Sequence, residues 1–348
     1  MNLPPMISAK SLGEMPGFTM EHLGARALDR AMEAAGLPHQ FADLHEGYIP
    51  EYVLASFVQQ VGQQLGEDNI GLLWAPVLTI KDYGKWGEYV LGAATLGSAL
   101  ARARNVMPLH SSGDSTQLRL AGNKAFYRYR FALRSHPAYS QIAFSALGSV
   151  LSIFRHFLGP HWRPTRLHCD MPPIMRADDA EIAFGCPIHW NKKALEICFP
   201  SHLLTAHAPA HPISVSTIED IVRERSGGTP RDFHQVVESV LLMQLKEQDI
   251  SIDRTAQALN LSVRCLQRKL EQENTTFRTL TNDVLVTRAK ELLRHGGMSV
   301  KAISLELGYS SQHNFSRAFR DRVGLSPTQY LSRSVGDHPE NRLRSAPL

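Results

Sequence analysis

Twice in its last third the chain repeats one pattern, a short amphipathic helix, a tight turn, and a second helix with one apolar and one polar face. The later copy is SVKAISLELGYSSQHNFSRAFRDR, residues 299–322, and the earlier is SIDRTAQALNLSVRCLQRKL, residues 251–270. In the later copy Ser299 is expected to cap the first helix and Gly308 to make the turn. Phe315, Ala318, Phe319 and Arg322 then fall at i, i+3, i+4 and i+7, so Phe315 and Phe319 should pack on Ile303 and Leu307. In the earlier copy Ser251 is the cap, Ala256 and Leu259 point inward, and Val263, Leu266 and Leu270 form the buried stripe of the next helix. Leu259 matches Leu307 and Leu266 matches Phe315, a period of 48–49 residues with one extra residue in the second turn. TLTNDVLVTRAKELLRH, between the copies, predicts a helix long enough to hold the two units apart. Such a repeat restricts this part of the chain to helices.

The faces left outside are the informative ones. Arg264, Gln267 and Arg268, with Glu271, project from the first of the second helices; Gln312, His313, Ser316, Arg317 and Arg320 project from the other. A helix-turn-helix lays its second helix in the major groove of DNA. There Arg bridges guanine O6 and N7, Gln pairs with adenine, and Ser or His bonds base edges or phosphates. Two such helices on one rigid module enter successive grooves when they lie about 34 Å apart. Ordinary helical bundles also carry polar faces, but seldom in tandem copies. Charge points the same way. Residues 231–333 hold 15 Lys and Arg against 11 Asp and Glu, while the remainder balances at 22 against 22, so the whole net charge of +4 sits in this third. A polyanion partner fits that distribution.

The first 200 residues change period several times. HLGARALDRAMEAA (22–35) predicts a helix closed by Gly36 and Pro38, and PEYVLASFVQQVGQQLG sets Val53, Phe57, Val61 and Leu65 four apart. Thr95 is expected to cap LGSALARARNVM. STQLRLAGNKAFYRYRFAL alternates around an Ala-Gly-Asn turn, a hairpin signal. SQIAFSALGSVLSIFRHFLG returns to helix, and ALEICFP predicts a last strand. HAPAHPISVST and RSGGTPRD are rich in Pro, Gly and Ser and predict a linker over 206–230 around one short helix, 218–225. The fold class expected is an α+β N-terminal domain (1–205) followed by an all-α domain (231–333) with two helix-turn-helix motifs, 251–271 and 299–322, joined by a linker helix; 334–348 should be a flexible tail. MNLPPMISAK lacks a basic segment followed by an apolar one, and no apolar run approaches the roughly 20 residues of a membrane span. Four unpaired cysteines suit a reducing compartment, so a cytoplasmic protein is expected.

Other chemistry finds little footing. His202, His207 and His211 are spaced by five and four residues across a Pro-containing segment, and Cys186 with His189 makes a lone C-x-x-H; neither is a metal pattern, and no metal or cofactor is expected. HSSGDST (110–116) reads better as a hairpin-entry loop than as a nucleophile site. No G-x-S-x-G, P-loop or G-x-G-x-x-G occurs, so no catalytic residue is assigned. The aromatic strand FYRYRF suits a pocket wall, a nucleic-acid surface or simple core alternation equally well.

With these residues in view, the segments FHQVVESVLLMQL, TAQALNLSVRCLQRKLEQENTTF, LVTRAKELL and SVKAISLELGYSSQHNFSRAFRDRVGLSPTQYL resemble the DNA-binding domain of AraC/XylS-family transcription regulators over 233–331. The resemblance implies base-facing roles for Arg264, Gln267 and Arg268 and for Gln312, His313, Ser316 and Arg317. Two departures stand out: Ser304 occupies a position where a small Ala is usual, and Cys265 one where a small hydroxylated residue is common. DNIGLLWAP, YGKWGEYVLGAATLGSALARARNVMPL and FGCPIHWNKKALEICFP resemble, more loosely, the arabinose-binding-like sensor domain of one branch of that family, over about 20–205. Together the two resemblances imply a bacterial regulator with promoter DNA, RNA polymerase and a small-molecule effector as partners, a homodimer through the sensor domain, and activation as the mode of action. The effector and its residues are not implied, since members of the branch sense varied molecules. Two other readings remain at this point. One is an enzyme in the N-terminal domain with DNA binding as an accessory, which would need a reactive cysteine in a metal or acceptor site. The other is an architectural DNA binder indifferent to sequence.

Overall fold

The computed structural model describes residues 3–42, 47–66, 69–208, 216–225 and 227–336. The main division into two compact units falls between Asp232 and Phe233.

The first unit begins with β1 (Met6–Ser8), which pairs antiparallel with β2 (Tyr48–Pro50). Between them lie α1 (Met15–Leu23) and α2 (Ala25–Ala35). The single helix predicted over 22–35 is therefore broken at Gly24, whose φ of 79° and ψ of 169° lie outside the helical basin; α2 does end at left-handed Gly36 (φ 74°). Next come α3 (Glu51–Leu65), α4 (Ile70–Trp74), α5 (Lys85–Leu91) and α6 (Leu96–Val106). Thr95 caps α6 as expected, its Oγ1 accepting from the Ser98 N–H at 3.2 Å while Ser98 Oγ accepts from the Thr95 N–H at 2.9 Å.

The predicted hairpin is present. β3 (Ser115–Ala121) turns at Gly122 (φ 59°) into β4 (Lys124–Arg130), with Ala121 opposite Lys124. α7 (Tyr139–Leu158), β5 (Arg166–His168), α8 (Ala177–Phe184), β6 (Ile188–His189) and β7 (Leu195–Pro200) follow. The sheet order is β3-β4-β7-β5-β6, antiparallel except for the β5–β6 pair. One face of the sheet, carrying Ala125, Tyr127, Tyr129, Leu195 and Ile197, packs on α6 and α7 in one continuous core. On the other face Arg128 donates to Glu196 Oε1 at 2.9 Å and His168 Nδ1 lies 3.0 Å from Glu196 Oε2.

α7 corrects one expectation. By length and composition it is apolar enough to cross a membrane, yet 61% of its apolar window is buried inside the unit, as a core helix requires. Glycine makes this packing close. A Cβ on Gly71 would stand 2.1 Å from the Gln141 carbonyl oxygen, and one on Gly148 would stand 2.3 Å from that of Ala75. α4 and α7 therefore meet backbone to backbone, which side chains at those positions would forbid.

The stretch read as a linker also differs. Residues 209–215, including His211, lie outside the described residues. After them α9 (Ile218–Glu224) is capped by Thr217, and Ile221 is fully buried in the first unit's core. Arg225, 3% exposed, donates to the carbonyls of Leu109 (2.6 Å) and Tyr83 (3.1 Å), and Thr229 donates to that of Pro108 (2.9 Å). Composition alone cannot show this, because Pro and Gly mark irregular backbone whether or not it is fastened down.

The second unit is all helix: α10 (Phe233–Leu245), α11 (Ile252–Ala258), α12 (Val263–Gln272), α13 (Phe277–His295), α14 (Val300–Glu306), α15 (Gln312–Val323) and α16 (Pro327–Gly336). Phe315 and Phe319 pack with Ile303 and Leu307 in one buried cluster, as the repeat predicts; Leu293 joins it and Tyr330 packs on it. Arg322, placed by spacing on the same face, instead forks onto Asp283 of α13, with Nε to Oδ1 at 2.6 Å and Nη2 to Oδ2 at 2.5 Å. α16 carries the chain three residues past the predicted boundary at 333, and the rest of the expected tail, 337–348, lies outside the described residues.

Candidate nucleic-acid interface and a cavity in the first unit

The two helix-turn-helix motifs are built by the same local devices. In the first, Asn260 adopts a left-handed φ of 53° and the Leu261 N–H reaches back to the Ala256 carbonyl at 2.8 Å. In the second, Gly308 does so at 75° and the Tyr309 N–H reaches the Ser304 carbonyl at 2.9 Å. Each bond closes the C-terminus of the first helix and reverses the chain. A serine then starts the next helix. Ser262 Oγ accepts from the Cys265 N–H and Ser311 Oγ from the Asn314 N–H, both at 3.2 Å. Residues 256, 260 and 261 correspond to 304, 308 and 309 at a spacing of 48, whereas Ser262 corresponds to Ser311 at 49. The extra residue is thus Ser310, whose hydroxyl accepts from Asn314 Nδ2 at 3.0 Å.

Every residue assigned to DNA from the sequence lies on α12 or α15. Arg264, Gln267 and Arg268 are exposed, opposite buried Leu266 and Leu270; Gln312, His313, Arg317 and Arg320 are exposed and Ser316 half-buried, opposite buried Phe315 and Phe319. Arg268 reaches back to Cys265, with Nη2 4.0 Å from Sγ, and Cys265 is only half-buried. Ser304 is completely buried, and its hydroxyl is satisfied by the Lys301 carbonyl at 2.7 Å. That bond removes the desolvation cost that a serine in an alanine position would otherwise carry. Behind the first motif Gln244 Oε1 accepts from Thr255 Oγ1 (3.1 Å) and the Ser251 N–H (3.2 Å), pinning α10 to the start of α11.

The first unit holds a cavity of about 50 Å3, partly open to solvent, that sequence reading did not locate. Its polar lining gathers Glu51 at the start of α3, Tyr83, His110, Asp114 of the hairpin-entry loop and Tyr129 of β4. The aromatic strand that sequence left open between pocket and core serves both, for Tyr127 is in the core and Tyr129 and Phe131 also line the cavity. Ser111 organises the acids: its hydroxyl donates to Glu51 Oε1 at 2.7 Å and accepts from the Asp114 N–H at 2.9 Å. Asp114 accepts from the Tyr129 hydroxyl at 2.7 Å and the Ala132 N–H at 3.0 Å. Burial pushes both carboxyls well above their ordinary range, and the neighbouring Asp114 charge raises Glu51 further. Burial, followed by the Arg225 charge, holds His110 well below the usual histidine value. A dense polar loop at 110–116 was the available signal. Glu51 gave none, because an acid in the first turn of a helix is ordinary in solvent.

The other chemistry weighed from sequence takes these forms. Cys169, Cys186 and Cys198 are buried, and burial pushes their thiols up to about 12, 12 and 11, opposite to what a nucleophilic cysteine needs. His202, His207 and His189 are exposed, and no group of three potential metal ligands converges among the described residues.

Comparison with known proteins agrees with this arrangement. Residues 26–208 match the family model described as the arabinose-binding domain of AraC transcription regulator, N-terminal, and residues 255–333 match a helix-turn-helix domain model. The chain is 26% identical over 270 residues to the ornithine utilization regulator of Pseudomonas aeruginosa, covering 76% of this chain and 79% of that one. It is 33% identical over 85 residues to the transcriptional regulator GadX of Escherichia coli K12, covering 24% of this chain and 31% of that one. Among solved structures, the transcriptional regulator CdpR from Pseudomonas aeruginosa aligns over 88% of this chain and 97% of its own at 21% identity, with a TM-score of 0.41. A helix-turn-helix domain of the matching type follows a first domain whose family model covers more than half of the chain, and the protein belongs to the AraC family of transcription regulators.

Proposed function

We propose that α12 and α15 read promoter DNA in successive major grooves, with Arg264, Gln267 and Arg268 facing one half-site and Gln312, His313, Ser316, Arg317 and Arg320 the other. The observation that carries this reading is the duplicated turn-and-cap device, which presents two polar helix faces from one all-helical unit. Backbone contacts from Arg and Lys and from the helix N-termini supply salt-dependent affinity, and the outward side chains supply sequence preference. The first unit binds a small-molecule effector and pairs two copies of the chain. Bound at a promoter, the protein activates by touching RNA polymerase. It acts in the cytoplasm, on the nucleoid when bound to DNA, by binding and not by catalysis. Effector control arises if the molecule favours one state of the regulator over another, since equal affinity for both shifts nothing.

Selection of DNA from a random library by the full chain tests this. The expected product is a motif of two short boxes about 10 base pairs apart, centre to centre. Recovery of bound DNA without any shared motif would mean the architectural reading is right instead.

A further inference from the structure

We propose that the cavity of the first unit is the effector site and that its ligand is a compact organic cation, an ammonium held by Glu51 and Asp114 with its apolar body against Met15, Leu54, Val58 and Ile142. This rests on the reading of the chain as an effector-controlled regulator and names the chemistry of the effector.

Three features of the cavity select that class. First, its two acids come from different elements, α3 and the loop before β3, and the Ser111 hydroxyl links them, donating to the Glu51 carboxyl and accepting from the Asp114 backbone N–H. Glu51 is 6% exposed and engages Ser111 through Oε1 alone; its Oε2 has no hydrogen-bond partner among the described residues, although the side chain lines the cavity. That oxygen is left open to a donor from within the cavity. Second, aromatic rings line the cavity together with the acids. Tyr129 stacks on Phe131 with centroids 4.3 Å apart, and Tyr83 stacks on His110 at 4.8 Å. Electron-rich ring faces with carboxylates are the usual environment for an alkylammonium. Third, among the described residues no Lys or Arg lines the cavity. Arg225 lies behind Tyr83 and His110, with its Nη atoms on the carbonyls of Tyr83 and Leu109 and on His110 Nδ1. His110 is held neutral by burial. An anion would therefore meet two acids and no Lys or Arg among the described lining residues, and a neutral ligand would offer the acids no charge partner. A cation favours the charged carboxylates and so opposes the burial that raises both. Met15, Leu54, Val58 and Ile142 give the lining an aliphatic part, beside Ser11, Ser145 and Ser149, which suits an amphipathic guest.

Calorimetric titration of the full chain with benzylamine and n-hexylamine, each beside its alcohol and carboxylate counterpart, tests the assignment near neutral pH. At least one amine should bind saturably, at least about tenfold tighter than its counterparts. Equal binding of the three charge types, preference for the alcohol or carboxylate, or no amine binding overturns the proposal. Glu51→Gln and Asp114→Asn place the site: each should weaken the amine at least about tenfold and leave the alcohol's weak binding unchanged. Unchanged amine binding in both variants moves the ligand elsewhere and overturns the assignment. If a variant fails to fold, hydrogen exchange of the unaltered chain decides, with protection expected at 51–58 and 110–114 when benzylamine saturates; protection confined to other segments overturns it. The regulator reading fails separately. Amine binding without any selected DNA motif removes that reading, while a selected motif without amine discrimination removes this one.

Discussion

The cavity of the first unit and the recognition faces of the second treat polar side chains in opposite ways. Around the cavity, Glu51 and Asp114 are drawn out of water, bound to Ser111 and Tyr129, and shifted far from their ordinary ionisation. On α12 and α15, the arginines and glutamines stay in solvent, and what is buried is the apolar stripe behind them. A DNA-reading surface needs positioned, hydrated side chains that exchange water for base edges. A small-molecule site needs the reverse, a dry enclosure whose few polar groups lack only the partner the ligand brings.

The largest effect expected from testing this contrast is at the anchor of a recognition helix. Phe319→Ala should cost about 3–5 kcal/mol of the second unit's stability in denaturant unfolding, because the ring is fully buried between Phe315 and Tyr330. A stable mutant would mean the buried stripe does not hold α15. Arg317→Ala and Arg268→Ala should leave stability alone and weaken the selected site by about 1–3 kcal/mol, with base preference relaxed at one position. Equal weakening on random DNA, read by titration of both duplexes, would break the assignment of those side chains to bases. The buried acids give a pH signature. Their folded pKa values lie above the unfolded ones, so the folded state holds more protons and stability falls as pH rises from the ordinary carboxylate range, about 4, toward the raised values. The slope should approach, but not exceed, about 1.4 kcal/mol per pH unit for each proton retained, and Glu51→Gln should flatten it. A flat profile in the unaltered chain would show the acids to be solvated. Smallest is Gly308→Ala, where open space around the residue leaves only the left-handed backbone to resist, about 1 kcal/mol by thermal unfolding.

The second unit was legible because its function and its fold write the same period. Leu266, Leu270, Phe315 and Phe319 recur at helical spacing, and whatever is not in that stripe is the surface. The hairpin and the Thr95 cap were legible for a similar local reason, since turn and cap residues act within four positions of themselves. The cavity was not. Glu51 is brought to Asp114 from more than sixty residues away by the pairing of β1 with β2 and the packing of α3, and nothing near Glu51 in sequence distinguishes it from a solvated first-turn acid. Gly24 misled in the other direction: its neighbours suit a helix, and only the backbone shows where that helix starts anew. The α7 core helix shows the same blindness, because apolar length cannot say whether lipid or protein surrounds it.

Arg225 fixes where the first unit can be cut free. A fragment ending at residue 205 would lose the guanidinium that satisfies the carbonyls of Tyr83 and Leu109, and with it the backing of two side chains that wall the cavity. Ile221 would leave a hole in the core as well. Truncation after Asp232 keeps both, so biochemistry on the isolated half should begin from that end point and treat shorter versions as damaged proteins.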